Sequence, residues 1–235
     1  DAQDKTSIFS VINSLKPELV INCIGMVKQL IEKDDIHLNT IYMNSFLPHQ
    51  LLKICTEFNS RLIHVSTDCV FKGDKGLYTE NDTADSVDIY GLSKLLGEIN
   101  TRNSLTLRTS IIGHELNSKN GLLEWFLSQE GQVFGYKNAI FSGLPTIEVA
   151  RVIKEYVIPN TNLTGVYHLS SEPISKLKLL NIIKKEYQKK ISIHEESSFQ
   201  IDRSLDSSKF KKETGYFSPS WGNLVKFMKE KKLEI

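Results

Sequence analysis

Two short runs hold residues whose types and spacing can move a proton. Val65-Ser66-Thr67-Asp68-Cys69-Val70-Phe71 closes the apolar run Leu62-Ile63-His64-Val65, and Asp88-Ile89-Tyr90-Gly91-Leu92-Ser93-Lys94 opens a helical pattern. Four residues make about one helical turn, so Tyr90 and Lys94 project from one face. An ammonium beside a phenol stabilises phenolate, which predicts a Tyr90 pKa below the usual value of about 10 and proton exchange near neutral pH. If hydride from a nicotinamide reaches a ketone carbon, Tyr90 can protonate the developing alkoxide while the Thr67 hydroxyl bonds the same oxygen. That set of groups suits carbonyl reduction.

Each part also has a plain structural reading. With eight tyrosines in a lysine-rich chain, a Tyr-x-x-x-Lys spacing arises about once by chance. Ser-Thr-Asp after a strand is more often a turn or a cap than a catalytic group. The combination carries the weight. Hydroxyls stand at the carboxyl end of a buried strand, where open α/β sheets place their ligands. A loop with Gly73 and Gly76 follows, and then the chain's single Tyr-x-x-x-Lys pair at a helix start.

The elements that must position these groups follow from periodicity. A helix is expected over 6–15, with Ile8, Val11, Ile12 and Leu15 inward, ended by Lys16-Pro17. A buried strand follows over 18–23. The span 38–58 reads as a long helix with Leu47, Leu51, Cys55 and Phe58 on one side and a kink at Pro48. After Tyr90, Leu92, Leu95, Leu96 and Ile99 should face the core. A strand at 104–108, short strands at 132–134 and 139–141, a helix over 147–157 and a strand at 165–169 come next. An amphipathic helix over 175–187 and a strand-like 191–194 lie toward the end. Strands alternating with helices imply an α/β protein with parallel βαβ units.

Composition bounds the alternatives. At 235 residues, 40% hydrophobic and with a net charge of +1, the chain can bury a full core. It has no basic, aromatic-interleaved patch for nucleic acid, and Lys229, Lys231 and Lys232 read as a solvated helix face. Cys23, Cys55 and Cys69 lack CxxC spacing and the density of a disulfide scaffold, which fits a reducing cytoplasm. His64, His168 and His194 show no metal-ligand spacing, so no metal is expected. Without an apolar run of about 20 residues or a leader, no membrane partner is expected either.

Several words match a known group: Lys16-Pro17 before Leu19-Val20-Ile21-Asn22-Cys23, His64 to Phe71, Tyr90 to Glu98, Leu107-Arg108-Thr109-Ser110, and Gly165-Val166-Tyr167-His168-Leu169. On these, the chain resembles the extended short-chain dehydrogenase/reductase superfamily, and within it the dTDP-4-dehydrorhamnose reductases and related nucleotide-sugar reductases. The resemblance implies a Rossmann-like parallel sheet with a smaller mixed α/β substrate domain. Residues 1–115 and 140–171 would form the dinucleotide-binding core, and 116–139 and 172–235 the substrate domain. It implies NADPH- or NADH-dependent reduction of the 4-keto group of a nucleotide-linked deoxysugar, for surface polysaccharide synthesis. Thr67, Tyr90 and Lys94 would be catalytic. Cys23, Gly25, Asn44, Ser66 and Ser110 would join Tyr90 and Lys94 around the cofactor, and Lys28, Asp68 and Arg203 would meet the substrate. A homodimer is compatible with it.

The chain departs from the family in two ways. It has no glycine-rich pyrophosphate loop, so it reads as a member lacking its first βαβαβ segment, expected to bind a dinucleotide poorly as it stands. Cys69 stands where the rhamnose enzymes usually have tyrosine, which keeps a UDP-linked N-acetyl deoxysugar reductase or epimerase open. A non-catalytic nucleotide-binding or regulatory subunit of the same fold is the alternative from another class. Asp68-Cys69, in place of an Asp-Glu pair, argues against a dehydratase.

Overall fold

The computed structural model describes residues 1–31, 37–116 and 118–231. In chain order the elements are α1 Lys5–Leu15, β1 Leu19–Asn22, α2 Lys28–Ile31, α3 Leu38–Ile41, a π turn Tyr42–Phe46, α4 Leu47–Glu57, β2 Arg61–Thr67, a 3-10 turn Asp68–Val70, α5 Ile89–Leu96, β3 Ser104–Thr109 and β4 Ile111–Ile112. There follow α6 Leu122–Ser128, β5 Gln132–Phe141, β6 Leu144–Pro145, α7 Thr146–Val152, a π turn Ile153–Val157, β7 Gly165–His168, β8 Ile174–Ser175, α8 Lys176–Glu186, β9 Ser192–Asp202, α9 Ser208–Thr214 and α10 Trp221–Glu230. No helix among the described residues is long and apolar enough to cross a membrane.

The chain divides into two compact units. One comprises Asp1–Lys72, Glu80–Arg108 and Asn162–His168; the other comprises Gly73–Thr79, Thr109–Thr161 and Leu169–Ile235. The first holds a sheet of order β1-β2-β3-β7, in which β1 runs parallel to β2 and β3 parallel to β7. Its core joins Ile12 of α1, Leu47, Leu51, Ile54 and Cys55 of α4, Leu62 of β2, and Ile99. These are the inward positions of two helices and a strand, and each fully buried aliphatic side chain contributes about 1.5–3 kcal/mol.

Several expectations about the first unit need correction, beginning with Val11 and Leu15 of α1, expected inward but 54% and 71% exposed, and with β1, expected buried, where Ile21 is 41% exposed. The long helix over 38–58 is interrupted by the π turn Tyr42–Phe46 rather than bent at Pro48 alone. Pro48 has no N–H to give to the carbonyl four residues back, which is that of Asn44, so the ladder slips there. Gly97 packs against that same carbonyl, so closely that a Cβ would collide with it. Leu92 and Leu96, expected inward, are 40% and 66% exposed, whereas Gly91, Ser93 and Lys94 are buried. Helix α5 turns its polar face inward because Lys94 finds a carbonyl partner on β2 and Ser93 an amide partner, Asn44, in the π turn. Lys28 lies at the start of α2.

The second unit contains a sheet of order β8-β5-β9 and the small pair β4-β6. Strand β5 pairs antiparallel with β8 and parallel with β9, so this sheet is mixed rather than uniformly parallel. The two short strands expected at 132–134 and 139–141 are one strand. The register slips between Tyr136, opposite Glu196, and Asn138, opposite Gln200, and that bulge breaks the alternation read from sequence.

Candidate active site

Strand β2 buries Leu62 and Ile63 and ends at Thr67, from which the chain turns sharply. Thr67 caps that turn, its Oγ1 accepting from the Cys69 N–H at 3.1 Å and donating to Asp68 Oδ1 at 3.2 Å. The cap reading and the reactive-hydroxyl reading thus describe one side chain. Helix α5 starts against the same turn. Asp88 caps it, Oδ1 accepting from the Gly91 N–H at 2.8 Å. Gly91 allows the approach, since a Cβ there would collide with the Cys69 carbonyl and Ser86 Oγ. This close packing sets Tyr90 beside Thr67, whose hydroxyl is its hydrogen-bond partner.

The electrostatics differ from the sequence expectation. Burial, above all, pushes the Tyr90 phenol well above its usual value; Cys69, Asp68 and Asp88 add to the rise, and the Thr67 bond opposes it. Lys94 is not what tunes it. Its Nζ donates to the Val65 carbonyl at 2.8 Å, and burial lowers its pKa to about 8 against the opposing pull of Glu98 and Cys23. Adjacent places on a helix face therefore do not couple the phenol to the ammonium. Tyr90 is held as a neutral acid, the form that can donate a proton to an alkoxide.

The turn after β1 completes the cluster. Asn22 Oδ1 accepts from the Ile24 N–H at 3.0 Å, and its Nδ2 lies 3.1 Å from His64 Nδ1. Asn44, in the π turn, accepts from the Met26 N–H at 2.7 Å and donates to the Met26 carbonyl and to Ser93 Oγ, both at 3.1 Å. Ser93 Oγ in turn donates to the Tyr90 carbonyl at 2.9 Å. One amide thereby ties the loop carrying Gly25 to the helix carrying Tyr90 and Lys94. A Cβ on Gly25 would sit 3.0 Å from Asn44 Oδ1 and 3.7 Å from Lys94 Nζ, so the backbone there forms a cradle lined by an amide and a cation. Cys23 borders it, its thiol raised by burial and lowered by Lys94.

Of the residues singled out from sequence, Cys23, Gly25, Lys28, Asn44, Ser66, Thr67, Asp68, Tyr90 and Lys94 belong to the first unit, and Ser110 and Arg203 to the second. Lys28 pairs with Asp88 Oδ2 at 3.1 Å, on the α5 cap. Ser66 donates to Glu98 Oε1 at 2.7 Å. In the second unit the Ser110 carbonyl accepts from the Leu144 N–H at 2.9 Å, and Arg203 follows β9 with its stem against Gly73. Sequence reasoning passed over Asp88, Glu98 and Arg108. The available signal was a charge on the otherwise apolar and hydroxylic strand Ser104–Thr109, which requires a buried partner.

A parallel Rossmann-like sheet with threonine, tyrosine and lysine gathered at the end of β2 defines an α/β protein of the extended short-chain dehydrogenase/reductase type. The family model described as the RmlD substrate binding domain matches residues 1–232, and the chain belongs to that family. A dTDP-4-dehydrorhamnose reductase from Aggregatibacter actinomycetemcomitans is 27% identical over 184 residues, covering 74% of this chain and 62% of that protein. Methionine adenosyltransferase 2 subunit beta from Danio rerio is 27% identical over 182 residues, covering 72% of this chain and 55% of that one. The chain thus spans about three fifths of the length of these curated relatives. A dTDP-4-dehydrorhamnose reductase from Bacillus anthracis, solved in complex with NADP, superposes with a TM-score of 0.85 at 19% identity, over 99% of this chain and 87% of that one, a likeness of fold.

Proposed function

We propose that the protein is an NAD(P)H-dependent reductase of the 4-keto group of a nucleotide-linked deoxysugar, serving surface polysaccharide synthesis. The observation that carries the reading is the Tyr90 phenol, kept neutral by burial and set against the Thr67 hydroxyl. The cradle at Gly25, with Asn44 and Lys94 on its walls, fits a nicotinamide ribose, whose hydroxyls an amide and an ammonium can bind. Bound nicotinamide would supply the hydride. Tyr90 would then give its proton to the carbonyl oxygen, and Thr67, released from Asp68, would hydrogen-bond the same oxygen. Lys94 would hold the ribose, and Lys28, Asp68 and Arg203 would meet the nucleotide sugar. On this reading 1–115 and 140–171 would serve mainly the cofactor and 116–139 and 172–235 mainly the substrate, in the cytoplasm, with a homodimer compatible and testable by sedimentation.

The test is consumption of NADPH or NADH, followed at 340 nm, with a 4-keto nucleotide sugar. Turnover should be lost in Tyr90→Phe while the circular dichroism spectrum stays that of the wild type. Undiminished turnover in that variant would remove Tyr90 from the reaction. The relative named as a subunit of methionine adenosyltransferase supports a second reading, a non-catalytic partner protein. Absence of turnover with dTDP- and UDP-linked 4-keto sugars alike, together with retained nucleotide binding, would favour it.

A further inference from the structure

Nothing in the reaction above uses Glu98 and Arg108, yet each side chain is only 8% exposed and the two are joined as a fork. Arg108 Nε donates to Oε1 at 2.8 Å and Nη2 to Oε2 at 2.7 Å. The carboxylate takes a third bond, from Ser66 Oγ at 2.7 Å. On its other side the guanidinium lies over the Phe71 ring, 5.2 Å from its centre, and Nη1 stands 3.3 Å from His168 Nε2. His168 meets Phe71 edge-on, 5.7 Å between ring centres, and its backbone N–H donates to Glu80 Oε1 at 2.8 Å. Ser66 and Phe71 flank Thr67, Asp68 and Cys69 on either side, so both flanks rest on one ion pair. Glu98 follows Lys94 just past the end of α5, and the pair therefore joins the Thr67 run to the Tyr90 helix.

Charges withdrawn from water add little stability that well-packed apolar side chains of the same volume would not match. What a guanidinium–carboxylate fork provides is direction, because it bonds well only in one plane. We propose that Glu98 and Arg108 are positioning residues for the reductase reaction, holding Thr67 in register with Tyr90 through Ser66 on one side and Phe71 on the other. The inference rests on the reductase reading of the same cluster.

The test compares the wild type with the apolar double variant Glu98→Met/Arg108→Leu and with Arg108→Lys. The double variant removes both charges of the pair at once, so its urea midpoint should stay near that of the wild type, but it also takes from Lys94 the pull of Glu98; Arg108→Lys, which keeps that carboxylate, separates the two effects. The kcat of the double variant should nevertheless fall roughly ten- to a hundredfold with KM for the sugar nucleotide unchanged, the loss expected when reacting groups shift by a fraction of an ångström to an ångström. Arg108→Lys, which keeps both charges but loses the fork, should fall in the same sense, and it decides the matter where the double variant does not fold. A readout free of turnover is the Tyr90 resonance in protein labelled at tyrosine Cζ, identified by its disappearance in Tyr90→Phe. In the double variant it should move to the position it takes in Thr67→Ala. Wild-type kcat in the folded variants, or a Tyr90 resonance that stays in place, would overturn the proposal. If the wild type binds the dinucleotide and still does not turn over, the reductase reading fails, and the resonance still decides whether the ion pair sets the Thr67–Tyr90 contact.

Discussion

Acid should unfold this protein partly through one histidine. His64 is fully buried on β2, its Nδ1 faces the Asn22 amide at 3.1 Å, and burial, with Lys94 and His49 nearby, lowers its pKa from 6.5 to about 3. Because Asn22 Nδ2 donates, Nδ1 must accept, so the folded state requires the neutral ring. Between pH 6.5 and pH 3 the unfolded chain takes up a proton that the fold refuses. Stability from this group is therefore complete above pH 6.5 and is lost as the pH falls, by about 1.4 kcal/mol per unit. From pH 7 to pH 5 the loss comes to about 2 kcal/mol. Urea unfolding followed by circular dichroism at several pH values, for the wild type and His64→Gln, isolates it. The carboxylates titrate alike in both proteins and cancel in the difference. The variant should be less stable at pH 7, yet its stability should fall less steeply toward pH 5. Parallel lines for the two proteins would refute the reasoning.

Other outcomes follow from the same contacts. Gly97→Ala should cost about 1–3 kcal/mol in urea unfolding, because a methyl there meets the Asn44 carbonyl and neither backbone can yield freely. Lys28→Ala should change stability by less than about 1 kcal/mol, since the Lys28 and Asp88 side chains are 52% and 30% exposed. If Lys28 meets the sugar nucleotide, its removal should instead raise KM in the turnover assay.

Much of the site was legible because its signals are local. A hydroxyl at the end of an apolar run and a one-turn spacing from Tyr90 to Lys94 are properties of neighbouring residues, and short-range geometry constrains them. The runs at 62–71 and 88–94 therefore sufficed to name Thr67, Tyr90 and Lys94. The same local logic misplaced Leu92 and Leu96, because apolar periodicity says which face of a helix is greasy but not which face finds partners. It also split β5 in two, since a bulge depends on the pairing strand.

What the amino-acid order determined alone is the α/β alternation and the residue types gathered at one strand end, for these depend on contacts within a turn or a strand. Only the tertiary structure decided the charge state and the aim of those groups. Burial, a long-range outcome of packing, raises the Tyr90 phenol where spacing predicted a fall. It also turns the Lys94 ammonium to a carbonyl of β2. The partners around these groups come from residues far along the chain: Asn44 bonds Ser93 next to Lys94, and Arg108 bonds Glu98, which also takes the Ser66 hydroxyl beside Thr67. No local rule joins such positions; the sheet does, by setting strands remote in sequence side by side.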